Sequence, residues 1–130
     1  MNKALNEMFI LAKNVRENAY APYSKFKVGC CIRTKNNRLF PGANVEVLGR
    51  PSSCAEGVAV GNMVILGERD ICEILIIGNG ELFCAPCGNC RQIIAEFGSK
   101  DTLVHVCNLD GLEKTIKLSE LLPYAFGKDF

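Results

Sequence analysis

The sequence predicts an α/β fold in which a mixed β-sheet carries helices on both faces. Its apolar patterning changes along the chain in the order helix, two strands, helix, strand, helix, strand, an order typical of layered α/β folds. Residues 72–77 are apolar except for Glu73, and this run is interpreted as a strand buried on both faces. With 130 residues, 48% hydrophobic and 22% charged, the chain is expected to fold as one soluble domain over residues 1–130.

The N-terminal half contains the first helix and a pair of strands. Residues 2–20 carry apolar side chains at helical spacing, followed by the breaker Ala-Pro-Tyr-Ser. Residues 27–34 and 38–45 read as strands, the second weakened by Pro41 and Gly42. Ser52 or Ser53 is expected to cap the next helix, over residues 54–66.

The C-terminal half supplies two further strands and a helix. After the strand at 72–77, residues 78–86 are expected to form a loop and residues 88–97 a helix. Residues 102–107 predict a second buried strand, which is followed by a hydrophilic segment and a last turn at 119–122. His105, the only histidine, lies in that strand and is interpreted as a core or interface residue, not as a metal ligand.

Charge and hydropathy exclude several functional classes. The fifteen Lys and Arg residues are scattered and the net charge is +1, which argues against binding of long nucleic acid. Asn6 and Glu7 interrupt the N-terminal apolar residues, so no secretory signal is expected. The longest apolar runs are too short to cross a bilayer. The expected location is therefore the cytoplasm, with no membrane partner.

The eight cysteines fall into two groups. Cys30, Cys31, Cys72 and Cys107 lie in strand-like runs and are expected to be small buried hydrophobes. The others lie beside Pro, Gly or Ser at the boundaries of predicted elements, where metal binding or nucleophilic chemistry is more usual; they are Cys54, Cys84, Cys87 and Cys90.

Three cysteines and one glutamate predict a catalytic zinc site with one Zn²⁺ per chain. Cys87 and Cys90 open one predicted helix, and Cys54 opens another. Three thiolates leave the fourth tetrahedral position open, as a catalytic zinc requires. Glu56, two residues after Cys54, would lie near the activated water without ligating the metal, and could move protons. Zinc deaminases share this arrangement, including the Pro-Cys-x-x-Cys segment.

The sequence resembles the small, zinc-dependent, homotetrameric cytidine deaminases, with blasticidin S deaminase among their relatives. The resemblance rests on Ala-Tyr-Ala-Pro-Tyr-Ser-Lys-Phe-Lys-Val-Gly (19–29), Asn-Val-Glu (44–46), Cys-Ala-Glu (54–56), Pro-Cys-Gly-Asn-Cys-Arg-Gln (86–92) and Leu-Leu-Pro-Tyr-Ala-Phe (121–126). It implies a three-layer α/β/α sandwich around a mixed five-stranded sheet. The implied activity is hydrolytic deamination of cytidine or deoxycytidine in pyrimidine salvage.

The resemblance also implies roles for individual residues. Phe26 would pack near the pyrimidine, Asn44 and Glu46 would bind the ribose hydroxyls, and Ala55 would belong to the substrate-binding residues. Phe126 would reach into the active site of a neighbouring subunit of a homotetramer. Without the resemblance, Phe26 would be read as a core residue, Asn44 and Glu46 as solvated, and Phe126 as a packing anchor.

The sequence departs from the family at two places. Gly57 replaces the arginine that usually follows Cys-Ala-Glu in the family. The net negative charge of three thiolates on zinc then lacks the guanidinium that usually offsets it. We hypothesise that Arg91 takes over part of this role. Residues 47–53 also differ from the usual segment and are one residue shorter, which leaves the substrate open between cytidine and a modified cytosine nucleoside.

Two further classes remain as alternatives. A nucleic-acid-editing deaminase would usually carry His at the first ligand position and a positive channel, and here that position is Cys54. A non-catalytic metal protein is the other, either an iron–sulfur site opened by Cys84, Cys87 and Cys90 or a zinc site closed by Cys84. Ile94 stands where the fourth iron–sulfur ligand would be expected, and Glu56 would then have no role.

Overall fold

Five strands and four helices form the fold in the computed structural model, which describes residues 1–80, 82–128 and 130. The chain runs through the described elements in the following order: α1 Lys3–Arg16, β1 Gly29–Thr34, β2 Leu39–Ala43, α2 Ala55–Ile65, β3 Ile71–Ile77, α3 Gly88–Phe97, β4 Leu103–Asn108, β5 Gly111–Lys117 and α4 Leu118–Leu121.

The five strands form one mixed sheet in the order β2-β1-β3-β4-β5. Strands β3 and β4 are parallel, because α3 connects them as a crossover, and the other neighbours are antiparallel. Gly29 pairs with Ile77, so the start of β1 lies beside the end of β3. The segment before β1 and the loop after β3 therefore meet at the same end of the sheet.

Helices cover both faces of the sheet, which confirms the predicted three-layer sandwich. On one face, Met8 and Phe9 of α1 pack against a cluster that includes Cys31 and Leu75. On the other face, α2 and α3 bury Ala59 and Ile94 against the opposite side chains of the same strands. Because side chains alternate along a strand, neighbouring residues such as Cys30 and Cys31 enter different cores.

Close approach of α2 to the edge strand β2 depends on one glycine. A Cβ at Gly42 would lie 2.3 Å from the Ala55 carbonyl oxygen and 2.5 Å from the Ala59 backbone nitrogen. The first two turns of α2 therefore rest directly on the backbone of β2.

The hydrophilic segment after β4 proves to be a strand. Residues 111–117 pair with β4 as β5 at the sheet edge. Only Ile116 of this strand is buried, since most of its side chains face solvent. A strand with one buried position has almost no apolar alternation, so the sequence pattern could not reveal it.

Three local predictions need correction. Helix α1 ends at Arg16 instead of residue 20, because Tyr20 already pairs with Val45 in an isolated bridge. Cys72 is exposed, since it lies near the start of β3, whose continuous burial begins only at Ile74. The cap of α2 is Cys54, whose sulfur accepts a hydrogen bond from the Gly57 amide at 3.3 Å. The predicted cap Ser53 is instead bridged to Val45.

His105 is buried, as predicted. Its Nε2 lies 2.7 Å from Oε1 of Glu73 and its Nδ1 lies 2.8 Å from Oγ1 of Thr115. Both ring nitrogens are thus occupied by neighbouring strands, and Glu73 also lies 3.2 Å from Nε of the buried Arg33. The histidine belongs to a polar row across β1, β3, β4 and β5.

Candidate active site

Three cysteine sulfurs converge where two helices begin. Cys54 is the N-cap of α2 and Cys87 is the N-cap of α3, with Cys90 in the first turn of α3. The Cys54 and Cys90 sulfurs lie 2.8 Å apart, and the Cys87 and Cys90 sulfurs lie 3.5 Å apart. Helix N-termini favour thiolates because their free N–H groups and dipole ends are positive. The three cysteines form the cysteine cluster described below.

Glu56 is buried beside this cluster. Its side chain belongs to α2 and the residue is only 5% exposed. One carboxylate oxygen and the sulfurs of Cys54 and Cys90 all lie within 4.8 Å of one another. Burial raises the pKa of Glu56 to about 7. A carboxyl group with such a pKa can both accept and donate a proton near neutral pH, as a general acid–base catalyst must.

The Cys54 and Cys90 thiols are in direct contact. Cys90 donates to the Cys54 sulfur, and this hydrogen bond lowers the pKa of Cys54 to about 6 against the opposing effect of burial. The same bond and burial raise the pKa of Cys90 well above its usual range. One thiolate is therefore formed readily, and a cation in the cluster would be needed to stabilise the others.

The donor set fits a zinc ion. Sulfur atoms at about 2.3 Å from a tetrahedral zinc lie about 3.8 Å from one another. The observed separations of 2.8 and 3.5 Å are somewhat shorter, so a modest outward rotation of the thiols makes room for the metal. All eight cysteines lie in the described part of the chain and none is in a disulfide, which leaves the thiols available.

Phe26 and Cys84 lie together at the end of the sheet where β1 starts beside the end of β3. A Cβ at Gly78 would lie 3.0 Å from the Cys84 sulfur and 3.5 Å from Cζ of Phe26. Burial is the main cause that raises the pKa of Cys84 to about 11, and the negative charge of Glu56 contributes. Cys84 thus stays protonated at neutral pH and lies within the electrostatic range of Glu56. No sequence pattern indicates that the absence of a side chain at Gly78 makes room for Cys84 and Phe26.

Asn44 and Glu46 organise the backbone before β1. The Asn44 side chain accepts a hydrogen bond from the Val28 amide and donates one to the Phe26 carbonyl, both at 2.9 Å. Oε1 of Glu46 accepts from the amides of Tyr23 and Ser24 at 3.0 and 3.1 Å. The bonds from Ser24 and Tyr23 lower the pKa of Glu46. Both side chains hold the loop that carries Phe26.

Arg91 binds backbone carbonyls. Its Nε donates to the Pro86 oxygen at 2.7 Å and its Nη1 to the Leu121 oxygen at 2.8 Å. Among the described residues, no hydrogen bond joins its guanidinium to a cysteine sulfur. The side chain thus ties the segment before α3 to α4.

Gly57 leaves open space beside the cluster. A Cβ at this position would meet only the Cys54 sulfur, at 3.3 Å. A cavity of about 270 Å³ adjoins it, lined by Ser52, Ser53, Cys54, Gly57, Val58, Asn89 and Ile93. The place where a longer side chain at residue 57 would extend is therefore unfilled within the chain.

Comparison with known proteins gives the family of this arrangement. Residues 2–106 match the cytidine and deoxycytidylate deaminase zinc-binding region. A cytidine deaminase from Halalkalibacterium halodurans is 40% identical over 116 residues, covering 88% of each chain. One from Sporosarcina psychrophila is 36% identical over 119 residues, covering 91% of this chain and 88% of that protein. The crystal structure of the Burkholderia pseudomallei cytidine deaminase superposes with a TM-score of 0.88 at 36% identity, covering 97% of this chain and 100% of that one.

The chain belongs to the cytidine and deoxycytidylate deaminase family.

As a member of this family the chain is a zinc-dependent hydrolase, which confirms the predicted enzyme class and cofactor. The iron–sulfur and non-catalytic alternatives are therefore not favoured. In this deaminase, the structure brings Cys54, Cys87, Cys90 and Glu56 together, with Ala55 buried between two of them. Phe126 is 89% exposed, and its carbonyl oxygen accepts a hydrogen bond from Gln92 of α3. Within the described residues, no helix is both long and apolar enough to span a bilayer.

Proposed function

We propose that this deaminase converts cytidine and deoxycytidine to uridine and deoxyuridine, with release of ammonia, as a step of pyrimidine salvage. The observation that carries the proposal is the buried Glu56 carboxylate beside three cysteine sulfurs at the start of α2 and α3. The cytidine deaminases described above support cytidine as the substrate. A modified cytosine nucleoside is less favoured, since it rests only on the altered 47–53 segment.

Cys54, Cys87 and Cys90 would hold the zinc ion, one per chain. Zinc in this position supplies Lewis-acid activation of a water molecule. Three cysteine ligands would leave the zinc able to bind that water. Arg91 supports the site by fixing the carbonyl oxygen of Pro86, the residue before Cys87.

Glu56 would carry the protons of the reaction. Its carboxylate would accept one proton from the water that attacks C4 of the cytosine ring and pass it to N3. It would then accept the proton of the new C4 hydroxyl and pass it to the amino group, which leaves as ammonia while the C4 carbonyl forms. Burial raises the pKa of Glu56 toward neutral pH, which favours the return of each proton to the substrate. Its burial keeps bulk water from competing for these protons.

Phe26, Asn44, Glu46 and Ala55 would bind the nucleoside. Phe26 lies beside Gly78 at the end of the sheet where β1 begins, and its ring is suited to pack on the pyrimidine face. Glu46 uses Oε1 for the loop amides, so Oε2 would accept a ribose hydroxyl. Asn44 has one amide hydrogen left for the same diol. Ala55 would contact the base between Cys54 and Glu56.

The test compares zinc content and turnover in wild type and Glu56→Gln. Zinc per chain is measured by atomic absorption, and cytidine consumption is followed by ultraviolet absorbance. We expect zinc to stay at one per chain while turnover falls by about 10²–10⁴-fold, because only the proton carrier is lost. The matched control is Glu113→Gln on exposed β5, which should retain both. Turnover within about tenfold of wild type in Glu56→Gln would refute the assigned role.

Phe126 supports a further proposal, a homotetramer with shared active sites. Phe126 and Tyr124 are 89% and 97% exposed, which is unusual for large apolar side chains near a chain terminus. The Phe126 carbonyl is held by Gln92 of α3 at 3.2 Å, so the side chain projects from a fixed point. In a tetramer it would complete the nucleoside site of a neighbouring subunit.

Mixed tetramers test this shared site. Phe126→Ala should show weak cytidine turnover and Glu56→Gln almost none, each on its own. Assembled together, Glu56→Gln subunits would supply Phe126 to the intact Glu56 of their neighbours, and part of the activity should return. Sedimentation should show four subunits. No recovery on mixing, or a monomer with full activity, would contradict the proposal.

We further propose that residues 1–130 act as one catalytic domain in the cytoplasm. The eight unpaired cysteines support a reducing compartment.

A further inference from the structure

A basic cavity lies where α1 ends, outside the cysteine cluster. It has a volume of about 360 Å³ and is lined by Tyr20, three small apolar residues and three cations, Arg16, Lys25 and Lys27. None of the described residues that line it is acidic. Neither the zinc site nor the proposed reaction uses these cations.

Arg16 carries the first argument for an anionic ligand. Its side chain is only 11% exposed, and its Nε is buried without a hydrogen-bond partner among the described residues. The nearest carboxylate oxygen, from the largely exposed Glu17, is 3.7 Å from Nη1, too far for a good hydrogen bond. A buried, unsatisfied guanidinium donor is costly, so an acceptor is expected to fill this position.

The two lysines carry the second argument. Lys27 uses one of its three ammonium hydrogens on the Glu17 carbonyl at 2.9 Å, which leaves two for another acceptor. Lys25 has φ of +60°, a conformation that is uncommon outside glycine, and its amide is held by the Ala21 carbonyl at 3.0 Å. Such backbone strain concentrates at ligand sites, and here it lies in the cavity wall.

We propose that this cavity binds the phosphate group of a nucleotide-class molecule. Three cations line the cavity, and the nearby carboxylates of Glu17 and Glu46 offset only part of their charge, so the site favours an anion such as a phosphate monoester. The volume exceeds what a lone phosphate needs and falls within the range of small-molecule pockets. The ring of Tyr20, which is 55% exposed, offers a face on which a base can stack. None of the described residues that line the cavity is assigned a role in the proposed reaction, so ligand binding here can be tested apart from that reaction.

Calorimetric titration of the zinc-loaded protein tests the proposal. The ligands are adenosine 5′-monophosphate, adenosine and inorganic phosphate; the purine is chosen because it is not a substrate of the proposed reaction. We expect the monophosphate to bind about tenfold or more tightly than adenosine or phosphate alone. Its affinity should fall as salt is raised, because the contacts are ionic.

Variants locate the binding. Lys25→Gln should weaken the binding of the monophosphate by about fivefold or more, whereas Lys114→Gln on exposed β5 should leave its affinity unchanged. Arg16→Gln removes the buried guanidinium. If that variant fails to fold, Arg16→Lys takes its place, because it keeps the charge but loses the planar set of guanidinium donors. Equal affinity for monophosphate and adenosine, or an unchanged affinity in Lys25→Gln, would overturn the site. Phosphate alone binding as tightly as the monophosphate would overturn the nucleotide class.

Discussion

Replacement of Gly42 by alanine should damage the active site through the backbone alone. The added Cβ would lie 2.3 Å from the Ala55 carbonyl oxygen, whereas real Cβ contacts essentially never fall below 3.0 Å. The difference, 3.0 minus 2.3, requires at least 0.7 Å of movement between β2 and α2. Backbone atoms of Ala55 and Ala59 form the obstacle, so no side-chain rotation can relieve it.

This movement is large on the scale of catalysis. If α2 shifts, Cys54 and Glu56 move relative to Cys90; if β2 shifts, Asn44 moves with it. A misplacement of about 1 Å can cost about 10²-fold in rate, so a shift of 0.7 Å predicts a loss of about 10- to 100-fold. Overpacking should also lower the free energy of unfolding by about 1–3 kcal/mol.

The matched control lies in the same helix. Gly61 is exposed and a Cβ there would meet nothing within 4 Å, so Gly61→Ala should stabilise the helix by up to about 1 kcal/mol without affecting turnover. Cytidine turnover, zinc content and urea denaturation are measured for both variants. Wild-type turnover in Gly42→Ala would refute the argument that α2 is positioned by direct contact with β2.

Four other changes have defined outcomes. Glu73→Gln should make the free energy of unfolding less dependent on pH at acid pH. The hydrogen bond to His105 lowers the pKa of Glu73. The stabilisation from the Glu73 carboxylate is therefore complete above its ordinary pKa of 4.5 and is lost as pH falls through the lowered value. Equal melting temperatures of wild type and variant between pH 3 and 6 would contradict this. Chelation of zinc should reduce stability by about 4 kcal/mol if zinc was present at a thousand times its Kd; an unchanged melting curve after complete metal loss would speak against the site. Cys84→Ser should keep one zinc per chain, because the other three cysteines hold the metal. Loss of zinc in this variant would instead favour a closed four-cysteine site. Arg91→Ala should lower the melting temperature by breaking two carbonyl contacts, and full turnover with full zinc would remove its supporting role.

The sequence predicted the elements whose side chains carry a strong pattern. Helix α3 has the predicted bounds of Gly88 and Phe97, and the buried strands β3 and β4 lie within a residue of their predicted positions. The convergence of the three cysteines and Glu56 was predictable, because cysteines at the starts of two helices, one of them followed by a glutamate, are typical of a metal site. The edge strand β5 was missed because its side chains are mostly solvated.

Tertiary contacts decided the remaining features. The cap of α2 moved to Cys54 because Ser53 pairs with Val45, a partner eight residues away that no local rule reveals. The cations at 16, 25 and 27 looked like solvated charges, since their common cavity exists only once α1 and the loop after it are folded. Arg91 lies beside Cys90 in the sequence, and no local rule reveals that its guanidinium binds the carbonyl oxygens of Pro86 and Leu121.

If Asn44 binds the ribose as proposed, its two backbone hydrogen bonds limit how this enzyme can change its choice of sugar. No other side chain of the same length can both donate to the Phe26 carbonyl and accept from the Val28 amide, so altered sugar contacts would come with a displaced Phe26 ring. Mutations that tune specificity without such damage must arise elsewhere. Residues 47–51 are exposed and Gly49 adopts a positive φ of 80°, so this turn can change with little effect on folding. Divergence among related enzymes should therefore accumulate in that turn while Asn44 stays fixed.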